Sequence, residues 1–200
     1  MSHTLFTTNG IVLASRQQGE ANKILSIFTR DIGLIEVTSQ SLRSLTSKLR
    51  FHTQLFSHSN FTCVRSKKSW RLVGAESISD FIVSSISSEH NAFSLQERTL
   101  FARISNVIRA YIHGEEPNLE LYSWLIEIMY FCNANLSLNK EDKSLLEILS
   151  IAKILFLLGY IDYPILKEIT LTDCDKMRVY TKHKASLVSS INGAFYIAQM

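Results

Sequence analysis

The first eighty residues contain no apolar pattern long enough for a helix. They hold short apolar runs at Ile11–Leu13, Ile24–Phe28 and Leu34–Val37, set apart by Gly10, Gly19 and Gly33, and two more at Phe61–Val64 and Trp70–Ala75. Apolar runs this short, bounded by glycine, read as strands. Arg30-Asp31-Ile32-Gly33 places Asp and Gly where a tight connection needs them, which predicts a hairpin between the second and third runs. The basic tip Arg65-Ser66-Lys67-Lys68-Ser69 predicts another between the fourth and fifth. Five such strands in about 75 residues suit a small closed barrel or a compact sandwich.

From Glu76 onward the period changes from strand to helix. A Ser-rich stretch through Ser77, Ser79, Ser84, Ser85, Ser87 and Ser88 marks the seam, so the predicted domains are 1–78 and 79–200 and the fold class is α+β. Ser94 with Glu97 forms a capping-box pattern that opens a helix ending near Gly114. Leu100, Phe101, Ile104, Val107, Ile108 and Tyr111 give that helix one apolar stripe, leaving Arg98, Arg103 and Arg109 for the outer surface. Pro117 suits the first turn of a second helix that is apolar on almost every face. Asn139 can cap a third, with Asp142 favourable in its first turn and Gly159 ending it. A final helix is predicted over about Ala185–Gln199, and residues 160–182 carry the weakest pattern.

The 200 residues carry 21 Lys and Arg against 18 Asp and Glu, a net charge of only +3 that argues for no polyanionic partner by itself. Its distribution is more informative: residues 1–80 hold ten basic and five acidic side chains, residues 81–200 eleven and thirteen. Three scattered cysteines, Cys63, Cys132 and Cys174, supply neither a disulfide framework nor a zinc ribbon. No charged segment followed by an apolar one opens the chain, and Glu147 and Lys153 interrupt its most apolar stretch, so a cytoplasmic protein without a membrane span is expected. No GxGxxG or GxxxxGK[ST] cradle occurs, the six histidines form no HxxxH or HExxH group, and no GxSxG elbow is present. The acidic pairs Glu115-Glu116 and Glu141-Asp142 sit where helix starts favour negative charge. No catalytic residue, metal, cofactor or small-molecule substrate is therefore expected.

One long feature does point to a ligand. From Val37 to Ala75 there is no Asp or Glu, while Arg43, Lys48, Arg50, Arg65, Lys67, Lys68 and Arg71 supply seven positive charges, interleaved with Phe51, Phe56, Phe61 and Trp70. On a small barrel this suits single-stranded nucleic acid, because cations follow the phosphates while exposed rings stack on bases. Period-two strands need inward rings, so Phe61 reads as core, and Trp70 beside the basic tip is the expected stacking residue. The competing reading is a solvated face over a phenylalanine core.

Asn9-Gly10-Ile11-Val12-Leu13, then Gly19-Glu20-Ala21-Asn22-Lys23-Ile24-Leu25-Ser26-Ile27-Phe28-Thr29-Arg30, then Gly33, resemble the opening of the RecO family of bacterial recombination mediators. Ser47-Lys48-Leu49-Arg50 with Leu55-Phe56, the exit Leu72 to Phe81, the helix ending Leu158-Gly159-Tyr160 and Ile191-Asn192-Gly193-Ala194 are similar to later family segments. The resemblance implies a five-stranded OB-fold barrel followed by a helical domain, in a non-enzymatic protein that binds single- and double-stranded DNA and anneals complementary strands. It also implies two protein partners: RecR, with which such proteins load RecA, and single-stranded DNA-binding protein (SSB), whose acidic, apolar C-terminal tail docks on the helical domain. For that tail an apolar groove rimmed by basic residues is expected, with Arg98, Arg103 and Arg109 as candidates. Two departures stand out. The family's four-cysteine ribbon has no counterpart, since only Cys174 follows the Leu-Gly-Tyr helix, and Ser39-Gln40-Ser41-Leu42-Arg43 replaces a more basic run.

The expectation is thus a DNA-binding mediator associated with the nucleoid, with DNA contacts at Arg43, Lys48, Arg50, Arg65, Lys67, Lys68, Trp70 and Arg71. The alternatives are a protein-interaction adaptor whose barrel is a docking module, and, at lower weight, an enzyme acting on nucleic acid.

Overall fold

The computed structural model describes residues 4–20, 22–40, 48–66, 69–78, 95–112, 114–135 and 138–198. The chain divides into two compact units, Met1–Ser94 with His113–Tyr122, and Leu95–Ile112 with Ser123–Met200.

The first unit is a closed barrel of β1 (Leu5–Gln18), β2 (Asn22–Thr29), β3 (Gly33–Ser39), β4 (His58–Arg65) and β5 (Trp70–Ser77), in the order β1-β2-β3-β5-β4. All neighbours are antiparallel except β3 and β5, whose parallel pairing at Val37–Trp70 and Thr38–Arg71 closes the barrel. This is the order of an OB-fold. β3 shows how the sequence sets the register: Gly33, Ile35, Val37 and Ser39 are buried while Leu34, Glu36 and Thr38 face outward, the alternation a pleated strand imposes. The hairpin before it forms as its residues require, with Gly33 at φ +89° and the Thr29 hydroxyl donating to the Gly33 carbonyl at 2.8 Å. Val12, Leu25, Ile27, Ile35, Val37, Phe61, Cys63, Trp70 and Leu72 fill the interior.

Residues 113–122 fold with the barrel, although the sequence pattern assigned everything beyond residue 78 to the helical half. The reason lies in three contacts. Glu115 accepts from the Trp70 indole N–H, the Glu116 backbone lies against Gly33, and the Tyr122 hydroxyl meets His58 Nε2 at 2.8 Å. A Cβ on Gly33 would fall 2.6 Å from the Glu116 carbonyl carbon, so this approach needs glycine.

The second unit is built from α1 (Leu95–Tyr111), α2 (Leu119–Ala134) from Ser123 onward, α3 (Lys140–Leu157), α4 (Cys174–Arg178) and α5 (Lys184–Ala198). Every residue of the predicted α1 stripe is buried, and Arg98, Arg103 and Arg109 are exposed. The Ser94 cap lies outside the described residues. α2 starts two residues later than Pro117 suggested, because Asn118 caps it, its side-chain oxygen accepting from Leu121 N at 2.9 Å. Asn139 caps α3 as expected, accepting from Asp142 N at 2.8 Å. The α3 end is closed by Gly159 at φ +79°, with Tyr160 N donating to the Leu155 carbonyl at 2.8 Å.

The stretch 160–172 has one short 3-10 turn, Pro164–Lys167, and is otherwise irregular, held by side chains from regular elements. Lys153 of α3 donates to the Lys167 and Ile169 carbonyls at 3.2 and 3.0 Å, and Glu127 of α2 accepts from Leu171 N. Arg178 of α4 grips Asp142 at the head of α3 through two bonds of 2.9 and 2.7 Å. That pair holds the Asp142 carboxyl below the usual carboxylate value, first through the hydrogen bonds from Arg178.

Candidate nucleic-acid interface

The acid-free stretch from Val37 to Ala75 maps onto the end of β3, the connection to β4, and the β4–β5 hairpin. Arg43, Lys67 and Lys68 lie outside the described residues. Lys48 opens a 3-10 turn that ends at Arg50, and the Lys48 side chain is likewise outside the description. Arg50 and Arg71 are exposed and form no ion pair among the described residues.

Arg71 is more than an isolated surface charge. Strand pairing joins Arg16, Ile24, Thr38 and Arg71 into one lateral row across β1, β2, β3 and β5. At the usual strand spacing the two arginines stand about 14 Å apart along that row. Arg16 is exposed and meets Glu36 at 3.1 Å in a surface pair, so its charge already has a nearby counter-charge. It escaped the sequence reading because it lies outside the acid-free run. Its signal was the polar tail of β1, Ser15-Arg16-Gln17-Gln18, which extends the outer face beyond the core-forming residues.

Trp70 is corrected by the structure. It is only 4% exposed and belongs to the barrel core, where Phe6 meets it edge-on at 5.2 Å. Its indole N–H donates to Glu115 at 2.8 Å. A ring enclosed on its faces and satisfied at its nitrogen offers nothing to a base. Arg65 is exposed, but its guanidinium lies 5.2 Å from the Trp70 ring centre and pairs with Glu115 at 3.0 Å. For binding a phosphate it starts with its counter-charge already supplied. Glu115 thus does something other than favour a helix start, and no local pattern announces it, since its partners lie 45 and 50 positions away.

The aromatic side chain that does reach solvent in this stretch is Phe51, 51% exposed, with Leu55 nearby in sequence at 45%. Phe56 and Phe61 are buried. The loop carrying Phe51 is pinned to the barrel. Thr53 donates to the Leu49 carbonyl at 2.8 Å, Ser57 and Ser59 both donate to the His52 carbonyl, and His52 Nδ1 lies 2.7 Å from Ser77 Oγ. Phe56 sits at φ +66°, strained for a residue with a side chain, and its N–H donates to the Val12 carbonyl at 2.7 Å.

In the helical unit, α1 and α3 border a cavity of about 360 Å³ whose lining includes Leu100, Leu138 and Leu146. Arg103, Lys140 and Lys143 bring positive charge to it, with Glu147 paired to Arg103. Of the three arginines expected at an apolar groove, Arg103 is at this one; Arg98 and Arg109 are not among its lining residues. Lys140 and Lys143 were missed, because a lysine in the first turn of a helix carries no signal until the facing helix is known. Among the described residues no group of three or more His, Cys, Asp or Glu could hold a metal ion. A zinc ribbon does not fit this chain: Cys174 is the one cysteine beyond α3, and its thiol donates to the Asn135 side-chain oxygen at 3.3 Å.

The family model of the recombination protein O N-terminal domain matches residues 1–81, the barrel just described. The DNA repair protein RecO of Dehalococcoides mccartyi strain BAV1 is 36% identical over 77 residues, 38% of this chain and 30% of that protein. In Acetivibrio thermocellus the DNA repair protein RecO is 27% identical over 155 residues, carrying the similarity into the helical half and across 76% of this chain and 57% of that protein. Over its barrel the chain is similar to the N-terminal domain of RecO proteins. The matched stretch spans less than two thirds of these RecO relatives. RecO of Rubrobacter xylanophilus is similar to the same barrel, 35% identical over 77 residues, 38% of this chain and 31% of that protein. No helix among the described residues is long and apolar enough to cross a membrane.

Proposed function

We propose that this chain is a recombination mediator that binds single- and double-stranded DNA through its barrel and anneals complementary strands, making and breaking no covalent bond. The observation that carries the proposal is the accessible positive charge of Arg50 and Arg71 on a barrel whose stretch from Val37 to Ala75 holds no acid. Pairing two strands brings two phosphate backbones together, and a surface that neutralises both lowers the repulsion between them. Arg16 stands on the same row as Arg71 but is paired with Glu36.

The helical unit is proposed as the partner-docking half, acting with RecR to load RecA on strands covered by SSB. The groove at Arg103, Lys140 and Lys143 suits an acidic peptide with apolar side chains, the chemistry of the SSB tail. The test is annealing of complementary oligonucleotides coated with SSB, with and without RecR. Annealing by the wild-type chain that falls several-fold with Lys140→Glu and Lys143→Glu is expected. A chain that leaves coated strands apart and retains no oligonucleotide at low salt is a protein-interaction adaptor instead.

A further inference from the structure

We infer that Phe51 is a base-stacking residue for single-stranded DNA, the part that the sequence pattern assigned to Trp70. The inference rests on the DNA-binding reading above and names the contact that makes the surface prefer unpaired bases to bare phosphates.

An aromatic ring half in water gives up burial that Phe28, Phe56 and Phe61 of the same barrel obtain. The exposure is not that of a frayed loop. The turn after Phe51 is tied to the barrel where Ser59 donates to the His52 carbonyl and His52 meets Ser77, it is closed on itself by Thr53 on the Leu49 carbonyl and Ser57 on the His52 carbonyl, and the strained Phe56 backbone is locked to β1. A fixed backbone presenting a ring outward costs little further ordering when a flat partner arrives. Arg50, the preceding residue, is exposed and free of an ion pair among the described residues, and the nearest acids in sequence are Glu36 and Glu76. A cation beside an outward ring, with no carboxylate for a dozen positions of sequence on either side, matches a phosphate and its base together. An apolar protein surface would be served by Phe51 and Leu55 and would have no use for the exposed guanidinium of Arg50.

The experiment compares binding of a fluorescent oligo-dT and an abasic oligomer of equal length by the wild-type chain, Phe51→Ala and Phe51→Tyr. The wild type is expected to bind oligo-dT more tightly than the abasic oligomer. Phe51→Ala should lose about five-fold or more of its oligo-dT affinity, in the range a single stacked base contributes. Its abasic affinity and salt dependence should be unchanged, its melting temperature should match wild type, and Phe51→Tyr should restore binding. If Phe51→Ala binds oligo-dT as wild type does, Phe51 and Leu55 belong to a protein contact and the inference is overturned while the DNA reading stands. If the wild type binds neither oligomer, both fall together.

Discussion

At Glu115 two requirements meet in one carboxylate. The Trp70 indole N–H, enclosed among apolar side chains, needs an acceptor, and Arg65 beside it needs a counter-charge; Glu115 supplies one oxygen to each. Glu115→Gln keeps an acceptor for the indole and removes the charge. It is expected to raise affinity for single-stranded DNA a few-fold at low salt and to steepen the dependence on log salt by about 0.7, as one further bound phosphate would. A titration with oligo-dT at several salt concentrations reads both. At His58 the sign of a pH effect can be worked out. Burial lowers its pKa below the ordinary histidine value of 6.5, Nε2 is held by the Tyr122 hydroxyl, and Nδ1 is buried without a hydrogen bond among the described residues. Protonation would place a charged donor there with no acceptor. The unfolded chain therefore takes up the proton first, and stability is full above pH 6.5 and falls as pH drops from there toward the lowered folded value. Melting temperatures measured from about pH 7.5 to about pH 5 should decline, and His58→Gln should flatten that decline.

The strands were legible in part: β1–β2, β2–β3 and β4–β5 pair locally and Gly19 and Gly33 mark two of the turns, whereas Gly10, read as a break, lies inside β1, and the pairings β1–β4 and β3–β5 span longer stretches of chain. The helix caps were legible to different degrees. Asn139 announced α3 because its acceptor and the acids after it are local, whereas Pro117 drew attention from Asn118, whose side chain does the capping. Asn139→Ala should cost about 1 kcal/mol, a fall of roughly 2–4 °C in melting temperature for a chain of this size. Thermal denaturation followed by circular dichroism measures it, and Asn139→Asp should keep most of the wild-type stability. The residues misread were those whose environment is supplied from afar. Trp70 sits beside a basic tip in sequence, but a carboxylate from residues 113–122 and Phe6 from β1 enclose it. The irregular stretch 160–172 has no period of its own, because Lys153 and Glu127 satisfy its backbone in place of a regular ladder.

Across the whole molecule, a net charge of +3 averages a basic first eighty residues with a slightly acidic remainder, and function is proposed from the division. The barrel was readable from its opening motif. The groove at Arg103 was readable only as a type of surface, since its other cations lie on a facing helix. The central claim is that the cations between Val37 and Ala75 bind DNA phosphates. Its most direct test is the salt dependence of binding to a single-stranded oligonucleotide by the wild-type chain and by a variant carrying Arg43→Glu, Lys48→Glu and Arg50→Glu. The account predicts that the variant binds at least about ten-fold more weakly at low salt and that its slope of log affinity against log salt flattens by about 2, near 0.7 for each phosphate no longer neutralised. Equal affinity and an unchanged slope, in a variant that melts like the wild type, would contradict it.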